Sequence, residues 1–181
     1  MGTNNKTKML TINAMLLAIG AILHQITPAL GLPMQPDFAL VMMIIIIVIN
    51  KKDYKSILVS AIITGVFTAM TTKFPGGQLP NIADKLITSQ LVYILICVLD
   101  KIKVFNKGKQ NYFITTIVLP IGTLISGVVF LLSAQAIVGL PAPFIILFST
   151  IVVPTVAINT VSGLALHKVI NLAFKRSRSY N

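Results

Sequence analysis

The segment Lys73-Phe-Pro-Gly-Gly-Gln-Leu-Pro-Asn-Ile-Ala-Asp-Lys85 gathers the densest set of reactive and polar groups in this chain. Lys73 and Lys85 offer cations, Asp84 an acid, and Gln78 and Asn81 neutral donors and acceptors. Two glycines and two prolines make the backbone between them irregular. A second acid, Asp37, follows Pro36 at another break. An acid for an ammonium, with a lysine and helix-start N–H groups for a carboxylate, is a donor set suited to a small zwitterion. Each residue also has a plainer reading. Asp84 near a helix start suits the helix dipole, and Lys85 can lay its stem along apolar surface to reach water. His24 reads either as a packing or interface residue or as part of the site. Asn159, five residues past Pro154, reads as a helix-to-helix hydrogen bond, as relief of a proline kink, or as a further site residue.

Catalytic patterns are missing. There is no G-x-x-x-x-G-K-[ST] phosphate loop, and no His/Cys/acid spacing suits a metal. Neither a Ser–His arrangement nor an intramembrane pair of acids suggests a hydrolase. The expectation is binding without catalysis, with no cofactor and no metal. All four acids are aspartates. None is expected near a bilayer midplane, which leaves little material for a proton relay.

The elements that must position these groups are transmembrane helices. Of 181 residues, 55% are hydrophobic and only 10% charged, against roughly 25% charged in a soluble domain. So much apolar surface cannot be hidden inside so small a globule and must face lipid. Six apolar segments follow one another, at residues 9–28, 36–50, 56–72, 82–99, 112–138 and 144–173. The fold class expected is an all-α bundle of six transmembrane helices in one membrane domain. Ile44–Ile47 is a β-branched run, yet an open strand cannot sit in lipid, so helix is expected, with Pro36 in its first turn. The last two segments exceed the roughly 20 residues a span needs, so tilt or kinking is expected. The lone Cys97 cannot form an internal disulfide.

The net charge of +11 would suggest nucleic acid in a soluble protein. Here the charges cluster between apolar runs and report orientation instead. With the N-terminus inside, thirteen Lys and Arg fall on the cytoplasmic side and two, Lys73 and Lys85, outside. Both termini are therefore expected in the cytoplasm, with the Lys73–Lys85 segment facing out. Ile63-Thr-Gly-Val-Phe67 echoes Ile125-Ser-Gly-Val-Val-Phe130, either as a duplication remnant or as common use of small residues near breaks. On the first helix, Ala14 and Ala18 share a face that lets another helix approach closely, within the bundle or from a partner.

The run Thr71-Thr-Lys-Phe-Pro-Gly-Gly-Gln-Leu-Pro-Asn-Ile-Ala-Asp-Lys85 resembles the signature segment of the bacterial tryptophan transport protein family. Met34-Gln-Pro-Asp37, Gly139-Leu-Pro141, and Pro154 with Asn159-Thr160 extend the resemblance over most of the chain. Such proteins resemble the substrate-binding S components of energy-coupling factor transporters. The resemblance implies tryptophan as substrate, and an energy-coupling transmembrane subunit with its ATPases as partners. It makes Ala14 and Ala18 docking candidates, although Ile22 interrupts an ideal series of small residues spaced by four. The expected site comprises His24, Asp37, Lys73, Gln78, Asn81, Asp84, Lys85 and Asn159. Phe38, Phe67, Phe74 and Phe144 are candidates to stack on an indole. The chain contains no Trp, which suits an importer made during tryptophan starvation. A self-contained ion-coupled transporter of amino acids or vitamins is the alternative. A non-transporting assembly protein, with no small-molecule affinity, is the alternative of another class.

Overall fold

A computed structural model describes residues 3–28, 35–101 and 107–179. The break at residues 29–34 and Lys103 of the basic loop lie outside the described residues. The helices are α1 (Thr3–Ile26), α2 (Phe38–Ile49), α3 (Tyr54–Met70), α4 (Gln78–Lys101), α5 (Lys107–Ile137), α6 (Phe144–Leu147) and α7 (Val153–Ser179). A π-helical turn, Phe148–Val152, joins α6 to α7 without interruption, so the chain makes six helical passes. No strand occurs among the described residues.

Among the described residues, four stretches are long and apolar enough to cross a membrane: Lys6–Ile26, Gln78–Lys101, Gln110–Ile137 and Phe144–Ala173. The other two passes are shorter, and α2 shows why. Its 12 residues extend only about 18 Å, short of a hydrocarbon core of about 30 Å. Every residue from Ala39 to Val48 is buried. A helix apolar on all sides must be surrounded, and α2 packs against α1, α3, α4, α5 and α7. The run Ile44–Ile47 thus forms the protein core and does not face lipid. The outer helices are built the other way round. Met15, Ile22, Leu91, Ile94, Leu132 and Val161 are exposed, while Asn13, Thr64, Thr68, Asp84, Lys85 and Asn159 are buried.

Several expected boundaries move. Pro36 precedes α2 and does not lie in its first turn, because the Asp37 carboxylate accepts the Leu40 N–H at 2.9 Å and caps the helix. α4 begins at Gln78, four residues earlier than expected. Pro80 falls in the first turn, where its missing N–H needs no partner. The Asn81 backbone and side chain both donate to the Gly77 carbonyl, at 3.0 and 2.8 Å. The irregular segment is therefore confined to residues 71–77, and Asp84 and Lys85 stand in the second helical turn. Near Pro154 the helix widens and continues. The proline ring crowds the carbonyl four residues back, and the π turn ending at Val152 takes up the mismatch.

Contacts at the two ends of the bundle fix how the passes alternate. At one end Lys73 Nζ, beyond α3, donates to the Thr27 carbonyl, beyond α1, at 2.8 Å. At the other, Lys51 pairs with Asp100, and Gln110 of α5 donates to the same carboxylate at 3.2 Å. His167 of α7 meets Thr115 of α5 at 3.3 Å.

Candidate substrate-binding site

The starts of α2 and α4 bring three charges together. Lys85 Nζ lies 2.6 Å from Asp37 Oδ2 and also pairs with Asp84. Asp84 is fully engaged: Thr88, one turn along α4, donates to Oδ1 at 2.7 Å, and Ser126 of α5 donates to Oδ2 at 2.8 Å. Asp37 has His24 Nδ1 3.4 Å from its Oδ1. Gln35 fixes that histidine, with its Nε2 2.9 Å from His24 Nε2 and 2.9 Å from the His24 carbonyl. Asp84 and Lys85 are each 1% exposed, so their charges are balanced mainly by one another. Two carboxylates thus face one ammonium in this cluster.

These residues form one wall of an open cleft. The turn after α3 supplies a second wall. Gly76 adopts φ +70°, a conformation glycine takes without Cβ strain, and Gly77 N–H donates to the Phe74 carbonyl at 3.0 Å. Phe74 is turned inward and meets Phe130 edge-on, with centroids 5.3 Å apart and planes at 90°. Gly127 lets α5 approach the π turn, since a Cβ there would stand 2.4 Å from Val152 Cγ1. Phe130, Ile151, Val152 and Leu40 give the cleft its apolar lining. Such a cavity, apolar with a few convergent polar groups, is the form small-molecule sites take.

The expected site residues divide. His24, Asp37, Lys73, Asn81, Asp84, Lys85 and Asn159 all line the cleft. Lys73 is exposed at its mouth, whereas the Asn81 amide is already committed to the Gly77 carbonyl. Gln78 is exposed and outside the lining. Asn159 makes neither an interhelical bond nor a kink-relieving one: its two side-chain polar atoms are buried without a hydrogen-bond partner among the described residues. Of the four aromatic candidates, Phe74 alone lines the cleft. Phe67 is exposed, and Phe144 stacks on Phe148 at 6.1 Å. Gln35, Ser126, Thr123 and Phe130 line it without having been singled out in sequence. Thr88 had a signal, since it stands four residues from Asp84 on the same helical face. Charged groups repel lipid, and Asp84 turns inward to meet Lys85, Thr88 and Ser126.

Ionisable groups held inside a bundle whose outer faces are apolar define a multi-pass membrane protein. The chain belongs to the tryptophan transporter TrpP family, whose model matches residues 6–175. It is 54% identical over 180 residues to the "Probable tryptophan transport protein" of Clostridium perfringens, with 98% of each chain covered. The proteins of the same name from Clostridium acetobutylicum and Bacillus subtilis are 47% and 39% identical. The alignments cover 94% of this chain and 93% of the C. acetobutylicum protein, and 95% of both chains for B. subtilis. No solved structure matches the chain. It is thus a transport protein of the bacterial cell membrane and not an enzyme.

Proposed function

We propose that this protein takes up tryptophan, binding the amino acid in the cleft between α1, α2, α4, α5 and the π turn. The observation that carries this reading is the joining of a wall that holds two carboxylates and Lys85, with Lys73 at the mouth, to an apolar, aromatic wall. Asp37 holds the ammonium. It is the less committed of the two acids, with its side chain 15% exposed against 1% for Asp84. Lys85 is occupied by two carboxylates, so the substrate carboxylate goes to Lys73, which has no acid partner among the described residues. Phe74 and Phe130 flank the indole. The relatives' names supply the choice of tryptophan among zwitterions. The distribution of Lys and Arg supports a cleft that faces outside and termini in the cytoplasm.

In this reading the protein is a substrate-binding subunit coupled to a shared energising module. Ala14 and Ala18 are both exposed on α1, away from the cleft, and offer a partner helix a close approach. The self-contained ion-coupled reading draws support from one observation, the grouping of half-buried Asp37 with buried His24 and Asp84. Proteoliposomes separate the two. Purified protein without other subunits is expected to show no ion-driven tryptophan accumulation, and accumulation driven by an ion gradient alone would favour the second reading. A thermal-shift panel of amino acids and vitamins tests the substrate. Tryptophan is expected to raise the unfolding temperature, and no shift with any amino acid would overturn the assignment.

A further inference from the structure

The cleft has a second polar region, and it carries no charge. Asn159 of α7 is 0% exposed and Thr123 of α5 is 2% exposed. Both line the cleft, and neither the Asn159 amide atoms nor Thr123 Oγ1 has a hydrogen-bond partner among the described residues. Leaving a buried polar group unpaired costs about 1–3 kcal/mol, and a binding pocket recovers that cost when its ligand supplies the partner. The helix geometry puts both residues deep. Asn159 stands fifteen residues along from Phe144, about 22 Å at helical rise. Thr123 is fourteen residues short of the α5 terminus at Ile137, about 21 Å. Lys85 is only seven residues from the start of α4, about 10 Å. The neutral polar pair thus lies further along the helices than the charged cluster. Phe130, Ile151, Val152 and Leu40 supply the apolar lining of the same cleft.

We infer that Asn159 is the specificity-determining residue of this cleft, its side-chain oxygen accepting the ring N–H of an indole whose amino-acid head is held at the Asp37 end, with Thr123 on the facing helix as a second acceptor. This rests on the tryptophan reading above and extends it from the head group to the ring. An indole nitrogen is a donor only, and an unpaired amide oxygen in an uncharged part of the lining is its complement. A benzene ring, or a heterocycle without N–H, fills the same space and leaves the amide unpaired. That penalty is how a site built to hydrogen-bond rejects an analogue.

The test compares binding of tryptophan and β-(3-benzothienyl)alanine, in which sulfur replaces the ring N–H, by titration calorimetry on the purified full-length protein. Wild type is expected to prefer tryptophan by about 10- to 100-fold. In Asn159→Leu the preference is expected to fall to within about threefold, through weaker tryptophan binding with benzothienylalanine binding kept or improved. An unchanged preference in Asn159→Leu would overturn the assignment. So would equal affinities in wild type, a measurement that does not depend on the variant folding. Both outcomes leave tryptophan binding itself intact, whereas failure of wild type to bind tryptophan at all would remove the site reading together with this one.

Discussion

Two lysines tie the bundle through aspartates, and their contacts differ in almost everything that sets their worth. Lys51 and Asp100 meet at helix ends, with side chains 21% and 36% exposed. Water solvates both, and Gln110 steadies the acid. Lys85 meets Asp37 and Asp84 inside the bundle, at 1% exposure of its own side chain. Exposed pairs contribute about 0–1 kcal/mol. Removing one member of a buried pair costs about 3–5 kcal/mol, because the remaining charge is stranded. The first contact closes a seam between helix ends. The second is larger than any seam requires: it holds two acids for one base, next to an open cleft. Lys85 is best understood as the residue that keeps two carboxylates tolerable in a bundle, with Asp37 the more exposed of the two.

Breaking each contact sharpens this difference. Lys85→Ala is expected to lower stability in detergent by about 3–5 kcal/mol, read by thermal or denaturant unfolding, and to abolish tryptophan binding. A Lys85→Met/Asp84→Asn pair, which removes one opposing acid along with the base, is expected to recover part of that stability. Lys73→Ala should leave stability alone and weaken tryptophan binding by about tenfold, in a salt-dependent way, since Lys73 is exposed at the mouth. Lys51→Ala is the smallest effect: under about 1 kcal/mol of stability and no change in tryptophan affinity.

The charged half of the site was legible in the sequence for a physical reason. Charge inside an apolar helix is expensive, so Asp37, Asp84 and Lys85 stood out against lipid-compatible neighbours and had to turn inward. The neutral half was not legible. Ser126, Thr123 and Phe130 are ordinary residues of membrane helices, where threonine and serine commonly bond their own backbone, as Thr68 does to the Thr64 carbonyl at 2.9 Å. Only the packing of α5 against the π turn shows which of them reach the cleft. Gln78 stands out in sequence because the Gly and Pro residues suggest an irregular backbone through Asn81. Once Pro80 is recognised as a first-turn residue the helix starts at Gln78, which remains exposed. The six-pass architecture followed from composition. The special place of α2 did not, because an apolar run of this kind reads alike whether lipid or protein surrounds it.

The central claim is that the more exposed acid at the head of the cleft, Asp37, holds the substrate ammonium. Asp37→Asn keeps the size of the side chain and an oxygen that can accept the Leu40 N–H, so the α2 cap persists. Calorimetric titration of the purified variant with tryptophan, beside wild type and with unfolding temperatures recorded without ligand, is the direct measurement. The account predicts a folded variant whose affinity falls by about 2–5 kcal/mol. A folded Asp37→Asn protein that binds tryptophan as tightly as wild type would contradict it.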